Sequence, residues 1–313
     1  MLILDQATVQ RLLDLDALLG ALAESFRALS AGLVVAPARN EVTVPQRGFL
    51  LAMPAYQQDR EVTVKLVTVF HGNEQLGLPT HQALMCVFDP ETGAPLAVMD
   101  GTSITALRTA GAAALSTRLL ARADARVLAI VGAGVQGRAH LRMLPRVRPF
   151  SDIRIASRRF AHAERLASAD PRARALESVE EAVRGADVVC LCTDAGEPVI
   201  SPDWLSPGAH VTSVGYQPPG GELAPSVIAR GRLFVETRLA FDPPPAGCAE
   251  LAGFDPSSGT ELGDVLLGRR QGRHSTDELT VYKAMGHACE DLAAASLVYR
   301  AALQEGAGHS VTL

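Results

Sequence analysis

One hexapeptide constrains this chain more than any other feature. Gly132-Ala133-Gly134-Val135-Gln136-Gly137 follows the apolar run Val127-Leu128-Ala129-Ile130-Val131 and leads into a helix-forming segment. Glycine-rich strings recur by chance, so the hexapeptide alone is weak evidence; here strand, loop and helix agree. Gly132 serves the tight turn, Gly134 lets backbone approach a pyrophosphate, and Gly137 lets the helix pack on the strand. With Val135 and Gln136 they form a cradle at a helix N-terminus, where amide groups and the macrodipole favour an anion. The reading is a dinucleotide site.

The surrounding pattern supports that reading. After Asp124 strands and helices alternate: strands over 126–131, 152–156, 186–192, 210–214 and 232–235, helices over 138–144, 161–167 and 179–184. Such alternation predicts a parallel sheet with helices on both faces. The second strand decides which dinucleotide is preferred. NAD sites commonly end it with Asp or Glu, which accepts hydrogen bonds from the ribose 2′-hydroxyl. This chain has Ser157-Arg158-Arg159. A carboxylate would repel a 2′-phosphate, whereas two guanidiniums and a hydroxyl can hold one. NADP(H) is the expected cofactor, with NAD(H) in second place; merely solvated arginines are the competing explanation.

At 313 residues the chain has room for two domains with real cores. No apolar run approaches the ~20 residues that span a bilayer, and the start, Met1-Leu2-Ile3-Leu4-Asp5-Gln6, is no secretory signal. A net charge of -5 offers no basic field for nucleic acid and no polybasic membrane patch, which points to a small partner. The five cysteines have no framework spacing, so a reducing cytoplasm is expected. Cys190 and Cys192 alternate along an apolar run and read as core, not as metal ligands.

Ahead of the loop, the first thirty residues read as a helix stopped by Gly32. The next third reads as mostly antiparallel sheet, with a hairpin signal at Asp89-Pro90-Glu91-Thr92-Gly93. In Val62-Thr63-Val64-Lys65-Leu66-Val67-Thr68-Val69-Phe70 the alternation sets Thr63, Lys65, Val67 and Val69 on one face. Lys65 is an expensive ammonium in such a strand: either it snorkels to water or it meets an anion. Arg108 lies at the start of an Ala-rich helix with no acidic sequence neighbour, and its planar fork suits a carboxylate. Arg39, in a Pro-flanked loop, is either a third carboxylate ligand or a surface arginine. His71 and His81 lack the partners a metal site needs. The segment 280–303 reads as one helix.

These residues carry a resemblance. Ala36-Pro37-Ala38-Arg39, Met53-Pro54-Ala55, Val64-Lys65-Leu66-Val67, Asp89 to Ala97, Leu107-Arg108-Thr109-Ala110-Gly111-Ala112, the Gly132 loop, Gly220-Gly221-Glu222-Leu223 and Leu279-Thr280-Val281-Tyr282-Lys283 resemble the ornithine cyclodeaminase/mu-crystallin family, in its order and across most of the chain. The resemblance implies an α/β protein in which a Rossmann domain, residues 118–289, is inserted into a mixed α+β substrate and dimerisation domain, residues 1–117 and 290–313. It implies a homodimer acting on amino acids or their cyclic imines. Arg39, Lys65 and Arg108 would surround the substrate carboxylate, with Lys65 a candidate proton donor. Met53 and Gln217 would also face the substrate. Thr109, Thr193, Val214, Gly215 and Lys283 would join the loop and strand end in holding the cofactor.

Two positions depart from the family pattern. Gln217, after Ser213-Val214-Gly215-Tyr216, stands where a cyclodeaminase has an aspartate, and Leu51 falls at or near a second family acid. An amide can hydrogen-bond an amine but cannot take its proton. The departures favour an NADPH-dependent ketimine reductase over an ornithine cyclodeaminase. An amino acid dehydrogenase and an NADPH-linked binding protein also compete with that reading. Ala284, where family members often carry Ser, departs near Lys283.

Overall fold

The computed structural model describes residues 1–312. It divides into two compact units: Met1–Arg108 together with the chain from His287 onward, and Thr109–Gly286. In chain order the first unit supplies β1 (Leu2–Leu4), α1 (Gln6–Leu12), α2 (Leu15–Ser30), β2 (Val34–Val35), β3 (Asn40–Val44), β4 (Gly48–Gln57), β5 (Val62–Phe70), β6 (His81–Phe88) and β7 (Pro95–Asp100). The division falls inside α3 (Gly101–Leu120). The second unit continues with β8 (Val127–Val131), α4 (Val135–Met143), β9 (Asp152–Ala156), α5 (Phe160–Ala167), β10 (Ala173–Leu176), α6 (Val179–Val183), β11 (Val188–Leu191) and β12 (His210–Ser213). It ends with α7 (Pro225–Arg230), β13 (Arg232–Val235), β14 (Thr260–Glu261), α8 (Leu262–Leu266) and β15 (Thr280–Lys283), after which α9 (Ala288–Glu305) and β16 (His309–Ser310) return to the first unit.

The first unit is a mixed sheet, ordered β16-β1-β7-β6-β5-β4-β2, with β3 on β4. The single N-terminal helix expected from sequence is instead a strand and two helices. Asp5 accepts from the Thr8 amide and Asp14 from the Asp16 and Ala17 amides, so two separate caps start two helices, and extended Leu13 parts them. On β5 the inward face carries Thr63, Lys65 and Val67. Leu51, Met53, Ala55, Val67 and Ala83 pack against Ala288 and Leu292 of α9.

The second unit is Rossmann-type α/β. Its sheet, ordered β10-β9-β8-β11-β12-β15-β13-β14, is parallel throughout. The order reverses beside β8, so the loops leaving β8 and β11 flank the crevice where such sheets take dinucleotides. One sequence expectation is overturned here. Thr280–Lys283 is a buried strand between β12 and β13, not the start of a helix. Its Thr-Val-Tyr run suits a strand buried on both faces, and Gly286 at φ 76° breaks the chain before α9 begins. Cys190 and Cys192 are buried, and burial pushes the Cys190 thiol up to about 12, so both act as packing. Among the described residues no helix is long and apolar enough to cross a membrane, and no group of three His, Cys, Asp or Glu side chains is placed to hold a metal.

Candidate active site

Lys65 points into the first unit and is 2% exposed. Cross-strand pairing seats it between Met53 of β4 and Met85 of β6, and Met85 in turn faces Met99 of β7. A row of thioethers leaves the ammonium without hydrogen bonds from its own sheet, so its partner comes from α9. Nζ lies 2.8 Å from Asp291 Oδ2, an ion pair outside directed hydrogen-bond geometry. The other oxygen, Oδ1, accepts from Arg108 Nε at 2.8 Å, and Glu290 Oε2 accepts from Arg108 Nη1 at 3.1 Å. All four groups are almost wholly buried.

The start of α9 explains why two carboxylates sit there. His287 caps the helix, its Nδ1 accepting from the Cys289 amide, while Glu290 Oε1 accepts from the His287 amide. Acids in a first turn also gain from the helix dipole. Glu290 thus uses one oxygen for the cap and the other for Arg108.

The electrostatics follow from this packing. Burial, then the Arg108 guanidinium, pull the Lys65 ammonium down to about 8 against the upward pull of Asp291. Burial alone would raise Asp291, but Arg108 and Lys65 hold its carboxyl below the usual range. Burial, with Lys65 and Arg108 nearby, takes His81 down to about 4; burial and Arg39 do the same to His287. Both imidazoles are therefore neutral near pH 7. Lys65, Arg108 and the nearby Arg39 outnumber Asp291 and Glu290 by one formal positive charge. Arg108 Nη2 has no hydrogen-bond partner among the described residues, so a donor remains for a ligand.

In the second unit the three glycines differ in what demands them. Gly132, at φ 105°, would place a Cβ 2.4 Å from the Cys192 carbonyl oxygen, and a Cβ on Gly137 would fall 2.0 Å from the Gly132 oxygen. A Cβ on Gly134 meets nothing within 4 Å. The protein itself does not require that glycine; an approaching pyrophosphate does. Gly134 caps α4 without a side-chain hydrogen bond, which leaves the first amides for an anion. Beside them Gln136 Oε1 is buried without a partner among the described residues. The Gly132 amide donates to the Ala156 oxygen at 2.8 Å, tying the loop to the end of β9, where Ser157 is half-buried and Arg158 and Arg159 are exposed. Neither arginine side chain has an ion pair or hydrogen bond among the described residues. These residues fit a nicotinamide dinucleotide.

Glu222 joins the remaining predicted cofactor residues. It is fully buried and accepts from the Thr193 amide and hydroxyl, the Ser213 hydroxyl, and the Val214 and Gly215 amides, at 2.7 to 3.1 Å. One carboxylate therefore pins the ends of β11 and β12. Lys283 Nζ donates to Ser213 Oγ, the Gly215 oxygen and Glu250 Oε1 at 3.2, 2.7 and 2.8 Å. Its three donors are satisfied inside the unit, so it supports the Gly215 turn.

With this geometry in view, comparison with known proteins is decisive. The model of the ornithine cyclodeaminase/mu-crystallin family matches residues 1–306. The chain belongs to that family. It is 40% identical over 272 residues to the ketimine reductase mu-crystallin of Mus musculus, covering 86% of this chain and 85% of that one. Among solved structures, the Δ1-pyrroline-2-carboxylate reductase of Thermococcus litoralis, in complex with NADH and L-proline, is 30% identical with a TM-score of 0.93, over 99% of this chain and 100% of that one. An archaeal alanine dehydrogenase dimer with bound NAD is also 30% identical, with a TM-score of 0.88, over 100% and 99% of the two chains. Like these relatives, this family member is an oxidoreductase that uses a nicotinamide dinucleotide.

The structure therefore brings Lys65, Arg108, Arg39 and Met53 into one cluster, and the glycine loop, the β9 end, Thr193, Val214, Gly215 and Lys283 into another. Thr109 follows Arg108 on α3, 7% exposed. Gln217 sits in the turn after β12, bridged to Gly220. Sequence reasoning misses Glu290 and Asp291. Their one signal is a pair of adjacent acids opening an otherwise apolar, Ala-rich helix.

Proposed function

We propose that this chain reduces a cyclic imino acid to the cyclic amino acid with NADPH. The observation that carries the reading is the buried cluster of Lys65, Arg108, Asp291 and Glu290 with half-buried Arg39 nearby, whose net positive charge suits a monoanionic substrate. Arg108, through its free Nη2, and Arg39 hold the substrate carboxylate, and Met53 and Met85 give the ring apolar walls. A bound nicotinamide supplies the hydride to the C=N carbon. Lys65 gives a proton to the imine nitrogen and regains one from water. Its lowered proton affinity matches a donor working near neutral pH. Orientation and electrostatics are then the protein's share of the catalysis. NADPH oxidation driven by a pyrroline- or piperideine-carboxylate, without added ammonia, tests the reading.

Gln217 and Leu51 argue against ornithine cyclisation, since neither can take a proton from a leaving amine. A second reading, amino acid dehydrogenation, draws on the likeness to the archaeal alanine dehydrogenase. It would require ammonia and an open-chain oxo acid in the same assay. We assign the enzyme to a reducing cytoplasm, which suits five cysteines with no disulfide between them among the described residues.

We also assign a homodimer. The outward face of the first sheet is apolar: Ala52, Leu66 and Leu84 stand in register across β4, β5 and β6, and Leu84 and Val42 are 52% and 62% exposed. A face this apolar calls for cover, and a second copy of the same face supplies it. Leu84→Glu is expected to give monomers in sedimentation. Wild-type protein running as a monomer at micromolar concentration would remove the dimer.

A further inference from the structure

Lys65 and Lys283 are the only lysines in the sequence, and both are buried. Lys283 is satisfied by three acceptors, whereas Lys65 has a single anionic contact among the described residues. That contact, Asp291, does double duty: Oδ2 meets Lys65 at 2.8 Å and Oδ1 takes Arg108 Nε at 2.8 Å. We propose that Asp291 is a positioning residue that holds Lys65 and Arg108 at a fixed separation and keeps Lys65 protonated for transfer to the substrate. This inference rests on the reading of Lys65 as the proton donor.

Every element packed around Lys65 contributes to the balance. Arg108 from α3 and Arg39 from the loop before β3 disfavour its charge, and His81 of β6 and the helix cap His287 are neutral. Glu290 is committed to the His287 amide and to Arg108 Nη1. Among the described residues Asp291 alone places an anion in contact with the ammonium. Without it, two cations would face each other in a buried site, and the lysine would shed its proton at lower pH. The shared carboxylate also fixes the rotation of the guanidinium, because Nε and Nη1 are both tied and only Nη2 is left without a partner among the described residues. Loss of Asp291 should therefore raise KM as well as lower kcat.

The test uses the full chain labelled with 13Cε-lysine, which gives only two lysine signals, assigned by Lys65→Met. In Asp291→Asn the Lys65 titration midpoint is expected to fall by at least about one pH unit. The alkaline limb of kcat/KM should move the same way, leaving NADPH affinity unchanged. Glu290→Gln should leave the Lys65 midpoint in place. An unmoved midpoint in a folded Asp291→Asn protein overturns the proposal. Should that variant not fold, the Asp291 13Cγ resonance of the unmodified chain decides: it must shift at the Lys65 midpoint, and indifference to that titration overturns the proposal equally. Full activity in Lys65→Met would instead sink the proton-donor reading, so the two failures are distinguishable.

Discussion

Lys65→Met is expected to lower kcat for cyclic imine reduction by about 10²- to 10⁴-fold, the usual worth of a positioned general acid. Methionine matches the flanking Met53 and Met85 and spares the fold a cavity, so the loss reports chemistry and not packing. NADPH binding should persist, because no lysine at position 65 is needed by the glycine loop. The pH dependence carries a definite sign. With the ammonium held at about 8, the acid form dominates near pH 7 and drains away as pH rises through 8. The kcat/KM of the wild-type enzyme should be flat below about pH 7 and fall on the alkaline side, since this parameter reports the free enzyme. Steady-state rates across pH for the two proteins check both statements; a Lys65→Met enzyme at wild-type rate would remove Lys65 from the mechanism.

Replacing Arg158 and Arg159 together by Ala is expected to raise KM for NADPH by about 10- to 100-fold and to leave NADH almost unaffected. Each guanidinium supplies charge-assisted hydrogen bonds to a phosphate, and such bonds contribute about 1.5–3 kcal/mol when their partner is present. Both side chains are exposed at the start of α5 and tied to nothing else among the described residues, so their removal should leave stability unchanged. The T. litoralis and archaeal relatives hold NADH and NAD, which makes the comparison a sharp one. Equal KM values for NADPH in the variant and the parent would mean that the two arginines are solvated surface groups.

The Rossmann unit is legible in sequence because its determinants are local. A strand, three glycines and a helix start lie close together in the chain, and the structure gives two of those glycines a steric reason and the third a ligand-shaped one. The alternation of β5 likewise puts Lys65 on the inward face. The partners of Lys65 are not legible, for a physical reason: Asp291 and Arg108 are 183 residues apart, and no local pattern joins a sheet lysine to a helix at the other end of the chain. Arg108, without an acidic neighbour in sequence, reads as free for substrate, yet its Nε and Nη1 are both engaged by α9. Glu222 shows the opposite outcome. Named in sequence only as part of the Gly220-Gly221-Glu222-Leu223 string, it is the acceptor for five donors at two strand ends. Thr280–Lys283 reads wrongly as helix because a short apolar stretch followed by a long helix offers no period of its own. The substrate cluster thus depends on tertiary packing, and the cofactor loop does not.

The central claim is reduction of a cyclic ketimine by NADPH at the Lys65–Asp291–Arg108 cluster. Its most direct test incubates the purified enzyme with NADPH and, in parallel, a pyrroline-carboxylate, a piperideine-carboxylate, pyruvate with ammonia, and ornithine with NAD, following nicotinamide absorbance and ammonia together. The expected result is NADPH oxidation with a cyclic imine, no ammonia requirement and no ammonia release. Ammonia released from ornithine without net nicotinamide turnover, or activity confined to pyruvate with ammonia, would contradict it.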